Sequence, residues 1–376
     1  MSDYAKGLEG VIANESALSK VEGLEGKLSY LGYSIDDLVE HCNFEEVTFL
    51  LHNGRLPNAA ELEAFEQKLR NDRELPEQVV DFLKNLPADA TPMDVLRTAV
   101  SMLGIFDKRA KIGEPDHELN REVALSIVAK TPVIVAYYHR ARQGKDLPAV
   151  RNDLSEAAHF LYLINGEEPS EAAAKTLDIA YILHADHGMN ASTFSARVTI
   201  ATLSDLYSAM TSAIGTLKGP LHGGANEGVI KMLNEIGSED KVDAFVEDCL
   251  THKKKIMGIG HRVYKVLDPR APHLQKMAVK LTEELGEAKW INMSERIATI
   301  MRERKGLNAN VDFYSATVYY SLGIPTDLFT PIFGIARMAG WTAQVLEQLQ
   351  DNRLYRPLTK YVGPATTSPV PPISER

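Results

Sequence analysis

Apolar residues recur at helical spacing through most of this chain, and that repeat restricts the fold more than any other property of the sequence. From Glu171 to His184, Ala174, Leu177, Ile179, Tyr181 and Ile182 stand among polar positions in an order no alternating strand would give, and Pro169-Ser170 marks the start. Asp327 to Leu349 repeats the pattern with Leu328, Phe329, Ile332, Ile335, Met338, Trp341, Val345 and Leu349. Ser34 to Asp37 has the form of a capping box ahead of another helix. Val198 to Leu217, almost all apolar or small, predicts a helix buried on most sides. Strand-and-hairpin punctuation is scarce. The expected class is all-α.

At 376 residues the chain is too long for one small core, so a large domain carrying a smaller one is expected. Five glycines and a proline between Gly215 and Gly228, and Gly323-Ile324-Pro325 further on, mark the boundaries. They give a large helical domain from 1–222 and 324–376, with a smaller inserted helical domain over 223–323. Four prolines between Pro364 and Arg376 make the tail an extended arm or disordered. With 44% hydrophobic and 24% charged residues the profile is that of a soluble globular protein. A net charge of −10 argues against nucleic acid or an anionic membrane as partner, and requires any anionic substrate to meet a local positive site. Cys42 and Cys249 are the only cysteines, so no disulfide framework is expected. The N-terminal residues lack an apolar leader and no run approaches a membrane span, which makes a cytoplasmic location the expectation.

Three segments place a proton-handling group beside glycines or polar residues: Gly219 to Glu227 around His222, Gly258-Ile259-Gly260-His261, and Asn310-Val311-Asp312. Glycine lets backbone approach a ligand, so such histidines face a cleft more readily than they fill a core. Two imidazoles and a carboxylate suffice for acid–base chemistry if folding gathers them. His184 and His187, three apart, invite a metal reading. A zinc-hydrolase helix would instead show two histidines four apart with a glutamate between them, so no metal is expected, and one of this pair is taken to bind substrate. The glycine stretches lack the Gly-Lys-Ser/Thr of a phosphate loop and the third glycine of a dinucleotide fingerprint. Lys253, Lys254 and Lys255 form either a solvated face or a phosphate contact. Arg337 lies within an apolar helix, where an unpaired guanidinium is costly; it must meet either an internal acid or a bound carboxylate.

Taken in order, these motifs resemble the citrate synthase family in its short bacterial and archaeal form. The likeness runs from Gly7 to Ile12 and Tyr30 to Tyr33, through Tyr137 to Arg140, Gly166 to Ser170, Leu183 to Phe194 and Leu217 to Glu227. It continues with Gly260 to Tyr264, Asp268 to Arg270, Asn310 to Ser315, Arg337, and Arg353 to Pro357. The resemblance implies a helical homodimer that condenses acetyl-CoA with oxaloacetate and hydrolyses the thioester, giving citrate and CoA, with no cofactor. By motif, Asp312 is the base, His222 the neutral donor to the thioester oxygen and His261 the group that polarises the ketone of oxaloacetate. His187, Arg270 and Arg337 match the oxaloacetate ligands, with Arg356 completing the partner subunit's site. Lys255, Ile256, Met257, Gly258 and Gly260, with Lys265 and Lys305, match the region that cradles CoA.

Leu31, Ile259 and Leu358 depart from the usual pattern without removing a proposed catalytic group. The resemblance is to the form without an NADH-regulatory extension, so a dimer lacking that control is expected. Two alternatives accompany the main expectation. A 2-methylcitrate synthase would use the same residues on propionyl-CoA, and a non-catalytic helical protein would keep only the CoA and dicarboxylate cleft.

Overall fold

The computed structural model describes residues 4–110 and 116–376. Sixteen α-helices make up most of the described chain, so the class is all-α. Helices begin where caps and apolar periodicity coincide. Glu171–His184 opens at Ser170, whose side chain accepts the Ala173 N–H. Ser34 caps Ile35–His41 by accepting the Asp37 N–H at 3.1 Å; its hydroxyl donates in return to the Asp37 carboxylate at 2.7 Å.

Phe329–Gln350 is the central helix, buried along nearly its whole length. The helices packed most extensively around it are Phe44–Asn53, His117–Arg142, Glu171–His184, Ala191–Ile200 and Leu206–Leu217. Gly340 sets its closest approach. A Cβ there would stand 2.2 Å from the Ala185 carbonyl oxygen and 2.7 Å from Asp186 Oδ1. The central helix is thereby pressed onto the turn that carries His187.

Two features differ from the sequence expectation. The single helix expected from Val198 to Leu217 is split, with Ala191–Ile200 and Leu206–Leu217 packed side by side. Between them Leu203 adopts a left-handed φ of 63°, and the Asp205 side chain caps the second helix by accepting the Ser208 N–H at 2.9 Å. A polar cap within an apolar run overrides the periodicity on either side of it. The second difference is a small antiparallel sheet of β1 (Ser19–Glu22), β2 (Lys27–Tyr30) and β3 (Tyr33–Ser34). Ser19 pairs with Tyr30 and Glu22 with Lys27. Leu28 and Tyr30 alternate inward, a signal only two residues long.

The sheet acts as a bracket. At its base, Ser19 Oγ donates to Asp186 Oδ2 at 2.6 Å and accepts the Gly188 N–H at 2.9 Å, while Tyr30 Oη donates within the carbonyls of Ile182 and Asp186. At its tip, the Gly23 carbonyl accepts the Lys265 N–H at 2.9 Å, and a Cβ on Gly23 would lie 2.5 Å from the Val263 oxygen. One hairpin therefore touches both the His187 turn and the loop that follows His261.

The helices Ala225–Ile236, Val242–Thr251, Ala271–Glu284, Lys289–Lys305 and Val311–Ser321 pack largely on one another. They meet the remaining helices through Glu171–His184 and the central helix. Beyond Gln350 the chain is exposed and mostly extended, with Tyr355 tied back by a 3.2 Å bond to Gln348 and an edge contact with Phe194. Among the described residues, no helix is long and apolar enough to cross a membrane.

Alanine is the better helix former, yet Gly340→Ala should lower stability by roughly 1–3 kcal/mol, because its methyl group has no space against the Ala185 carbonyl. Chemical denaturation of both proteins measures this; equal midpoints would contradict the close approach.

Candidate active site

The acid–base groups come from turns and helix ends, whereas Arg337 projects from the middle of the central helix. His187 follows the C-terminus of Glu171–His184, and His222 lies in the turn between Leu206–Leu217 and Ala225–Ile236. The glycines beside His222 are required by geometry. Gly224 has φ +82°, and a Cβ on Gly223 would lie 2.1 Å from the Leu217 oxygen. His261 ends the Gly258–Gly260 run, and Asp312 sits in the first turn of Val311–Ser321.

That run is fixed to the approach to Asp312. Gly260 N–H donates to Asn308 at 2.8 Å, Asn310 N–H to Gly258 at 2.9 Å, and the Asn310 amide to Gly260 at 2.8 Å. Gly258, at φ +74°, leaves no room for a side chain between Val229 and Phe313.

Hydrogen bonds settle the tautomers of two histidines. His222 Nε2 receives the Ser192 N–H at 3.3 Å and lies 2.8 Å from the Ser192 hydroxyl, so Nε2 is the acceptor and Nδ1 carries the proton. Burial, with Arg337 and Arg262 nearby, lowers its pKa to about 4 and keeps the ring neutral. His261 Nδ1 accepts the N–H groups of Val263 at 3.0 Å and Tyr264 at 3.1 Å, which leaves Nε2 as the protonated donor. Burial and Arg270 depress its pKa as well. Burial, with Arg270 and Arg337 adding to it, pushes His187 well below the usual histidine range. The His187 and His261 rings meet edge to face, with centroids 5.8 Å apart.

Two buried arginines provide the positive charge that an acidic protein needs to hold an anion. Arg270 is paired with Asp268 through Nε at 2.9 Å and one terminal nitrogen at 2.8 Å. Burial works against its charge, but Asp268 raises its pKa above the ordinary value. Asp268 also accepts the Val311 N–H, joining the arginine to the start of the Asp312 helix. Arg337 makes no salt bridge among the described residues. Its Nε donates to the His184 carbonyl at 2.5 Å, its guanidinium lies 4.7 Å from the Phe333 ring centre, and its terminal nitrogens have no hydrogen-bond acceptor among the described residues. Asp186, the acid whose charge favours the Arg337 guanidinium most, uses Oδ2 to accept from Ser19 at 2.6 Å and Gln344 at 3.1 Å, and its buried Oδ1 has no hydrogen-bond partner among the described residues. Burial lowers Arg337 to about 10, so it remains charged at neutral pH. Of the two readings open for this residue, the internal ion pair is absent.

Asp312 has no side-chain hydrogen bond among the described residues, and burial raises its pKa to about 6 against the pull of Arg270 and Arg337. The fields of these two arginines reach all the central groups: Arg270 acts on His187, His261 and Asp312, and Arg337 on His187, His222 and Asp312. Three imidazoles, a carboxylate and two guanidiniums thus lie within one another's electrostatic reach.

The remaining expected residues lie around or outside it. Ile256 and Gly258 are buried, Met257 and Gly260 are partly so, and Lys255, Lys265 and Lys305 are exposed. A cavity of about 190 Å³ opens beside His261, lined by Lys265, Gly306 and Asn308 among others. Arg356 is exposed in the C-terminal arm, bonded only to the Pro357 carbonyl, and does not join this chain's cleft. His184 turns back into its own helix, with Nδ1 donating to Ala180 at 2.7 Å. Among the described residues, no group of three His, Cys, Asp or Glu side chains converges as a metal site. Sequence reading missed Ser192 and Tyr264. Ser192 sits just inside the helix that Asn190 caps, but nothing along the chain pairs it with a residue thirty positions on.

A helical fold that gathers these groups has the means for acid–base chemistry beside a positive site for an anion. The family model described as "Citrate synthase, C-terminal domain" matches residues 7–358, and the chain belongs to the citrate synthase family. It is 50% identical to "Citrate synthase 2" of Bacillus subtilis, with 99% of each chain covered. It is also 42% identical to "2-methylcitrate synthase 2" of Corynebacterium glutamicum, over 100% of this chain and 98% of the relative. Among solved structures, citrate synthase from Thermoplasma acidophilum, in a ternary complex with carboxymethyl coenzyme A and oxaloacetate, superposes with a TM-score of 0.93 at 32% identity, covering both chains completely.

The raised pKa of Asp312 makes its ionised form a cost to the folded state. Because the folded value, about 6, exceeds the unfolded one, the aspartate lowers stability progressively as pH rises through 4 to 6, and the full cost is present above that range. Asp312→Asn should therefore be more stable than the parent at pH 7.5, by roughly 1–3 kcal/mol, and no more stable below pH 4. Thermal unfolding across this range measures the difference; a pH-independent gap would assign it to packing.

Proposed function

We propose that this enzyme is a citrate synthase, condensing acetyl-CoA with oxaloacetate and releasing citrate and CoA. The observation that carries the proposal is Arg337, a buried guanidinium with no acid of its own beside a second arginine already paired. Arg337 offers two terminal nitrogens to a carboxylate, and Arg270 keeps one that Asp268 does not use. Together with His187 they would hold the dicarboxylate and orient its ketone toward His261. The His261 Nε2–H would polarise that ketone and protonate the alkoxide formed on attack.

Asp312 would remove a methyl proton from the thioester. At neutral pH a carboxylate with a pKa of about 6 is ionised, yet is more basic than an ordinary aspartate. The methyl proton is still far less acidic, so the developing enolate needs stabilisation. His222 would supply it from Nδ1–H, the nitrogen left free by Ser192. The enolate carbon then attacks the ketone carbon, and water cleaves the resulting thioester.

CoA would lie along Lys255, Ile256, Met257, Gly258 and Gly260, with Lys265 and Lys305 near its phosphates. Movement of 223–323 over the larger domain once oxaloacetate is bound would exclude water and complete the site only when this first substrate is in place. Arg356 would complete the site of a partner subunit in a homodimer, which its exposed position on the arm permits. No cofactor enters this scheme. The 42% identity to a 2-methylcitrate synthase supports propionyl-CoA as a second substrate, since one methylene is worth only about 1–3 kcal/mol in a hydrophobic pocket.

Release of free CoA thiol tests the proposal: it should require oxaloacetate and be faster with acetyl-CoA than with propionyl-CoA. The reverse preference would make the protein a 2-methylcitrate synthase, and no thiol from either would leave only a binding protein. Arg337→Leu should raise the KM for oxaloacetate on the order of 100-fold, with a smaller change for acetyl-CoA; equal weakening of both would give Arg337 a structural role.

A further inference from the structure

Tyr264 belongs to none of the roles assigned above, yet it touches three groups that carry them. It is 2% exposed. Its hydroxyl lies 3.0 Å from His187 Nε2, its ring centre is 4.8 Å from that of His261, and the Arg270 guanidinium carbon is 6.0 Å from the same ring. Its main-chain N–H is one of the two donors that fix the His261 tautomer.

The hydroxyl decides a question that the other contacts leave open, namely which nitrogen of His187 bears the proton. Burial raises the Tyr264 phenol well above its ordinary range, so it stays protonated. Its O–H has a single polar neighbour among the described residues, His187 Nε2. If Nε2 carried a proton, the phenol would be left in a buried place with a donor and nowhere to place it. Donation therefore runs from Tyr264 to Nε2, and the neutral His187 holds its proton on Nδ1. That nitrogen has no protein partner among the described residues, and a carboxylate substrate can only accept.

We propose that Tyr264 is a positioning residue for oxaloacetate: its hydroxyl sets His187 as the Nδ1–H tautomer that donates to the substrate, while its ring supports His261 against the side that Arg270 faces. This rests on the function proposed above. The two parts of the side chain have separable roles, hydroxyl for binding and ring for the alignment of His261.

Steady-state kinetics on Tyr264→Phe and Tyr264→Leu, with the parent protein assayed alongside, separates them. The Phe variant should raise the KM for oxaloacetate roughly 3- to 10-fold, the effect of one hydrogen bond, with kcat within about 2-fold and the KM for acetyl-CoA unchanged. The Leu variant should add a fall in kcat. An unchanged or lowered oxaloacetate KM in the Phe variant, or equal effects on both substrates, would overturn the role. Nitrogen-15 spectra of histidine-labelled parent protein provide a readout that needs no variant to fold: His187, assigned by its absence from His187→Gln, should show a protonated Nδ1 and a bare Nε2. The opposite pattern would overturn the tautomer. A parent enzyme that releases no thiol would instead remove the functional reading, and the nitrogen spectra would still test the hydrogen bond.

Discussion

The structure is organised around positive charge that it does not neutralise. An arginine in the middle of the central helix would ordinarily find an acid or reach for solvent. Arg337 does neither; it is held through Nε by the carbonyl that ends a neighbouring helix, and Asp186 forms no ion pair with it, its Oδ2 accepting instead from Ser19 and Gln344. The chain carries a net charge of −10, yet at this point it keeps a cation without a partner. Such a site is costly while empty and favourable when a carboxylate fills it, so the same desolvation that burdens the fold sharpens recognition of a dianion.

The same field shapes the surrounding acid–base groups. Desolvation and the two guanidiniums disfavour imidazolium, so all three histidines of the cleft are neutral. Neutral imidazoles have one donor each, and the backbone decides which nitrogen it is at His222 and His261. Asp312 feels opposing influences: burial raises its pKa while the arginines lower it, and the outcome near 6 is a base that is free of its proton in the cell but stronger than a surface aspartate. Removing one buried charge would therefore shift several groups together.

Much of the fold was legible in the sequence. The helix from Glu171 to His184 begins and ends where its apolar spacing and Ser170 place it, and the central helix follows from the run that contains Ile332, Ile335, Met338 and Trp341. His222 and His261 stand out because the glycines beside them are poor core builders and Arg337 because a guanidinium in an apolar helix needs an anion, whereas the roles of the other residues rest on the resemblance to the family. What the sequence withheld were relations across distance. A two-residue alternation at Leu28 and Tyr30 carries no sign that the hairpin will reach both the His187 turn and the loop after His261. An Asp205 cap divides an apolar run that periodicity alone joins. Tyr264 stands in the Gly260 to Tyr264 segment, but nothing along the chain joins its hydroxyl to His187, seventy-seven positions earlier.

The lacing between Gly258–Gly260 and Asn308–Asn310 has a consequence for how related enzymes diverge in acyl chain length. The surface proposed to hold the thioester and the carboxylate proposed to deprotonate it are parts of one stiff unit, so a longer acyl group cannot be admitted by letting the two drift apart. Extra volume has to be carved from side chains facing the acyl tail, with the stiff unit left intact. Diversification in this architecture is thus a matter of hollowing rather than of hinging.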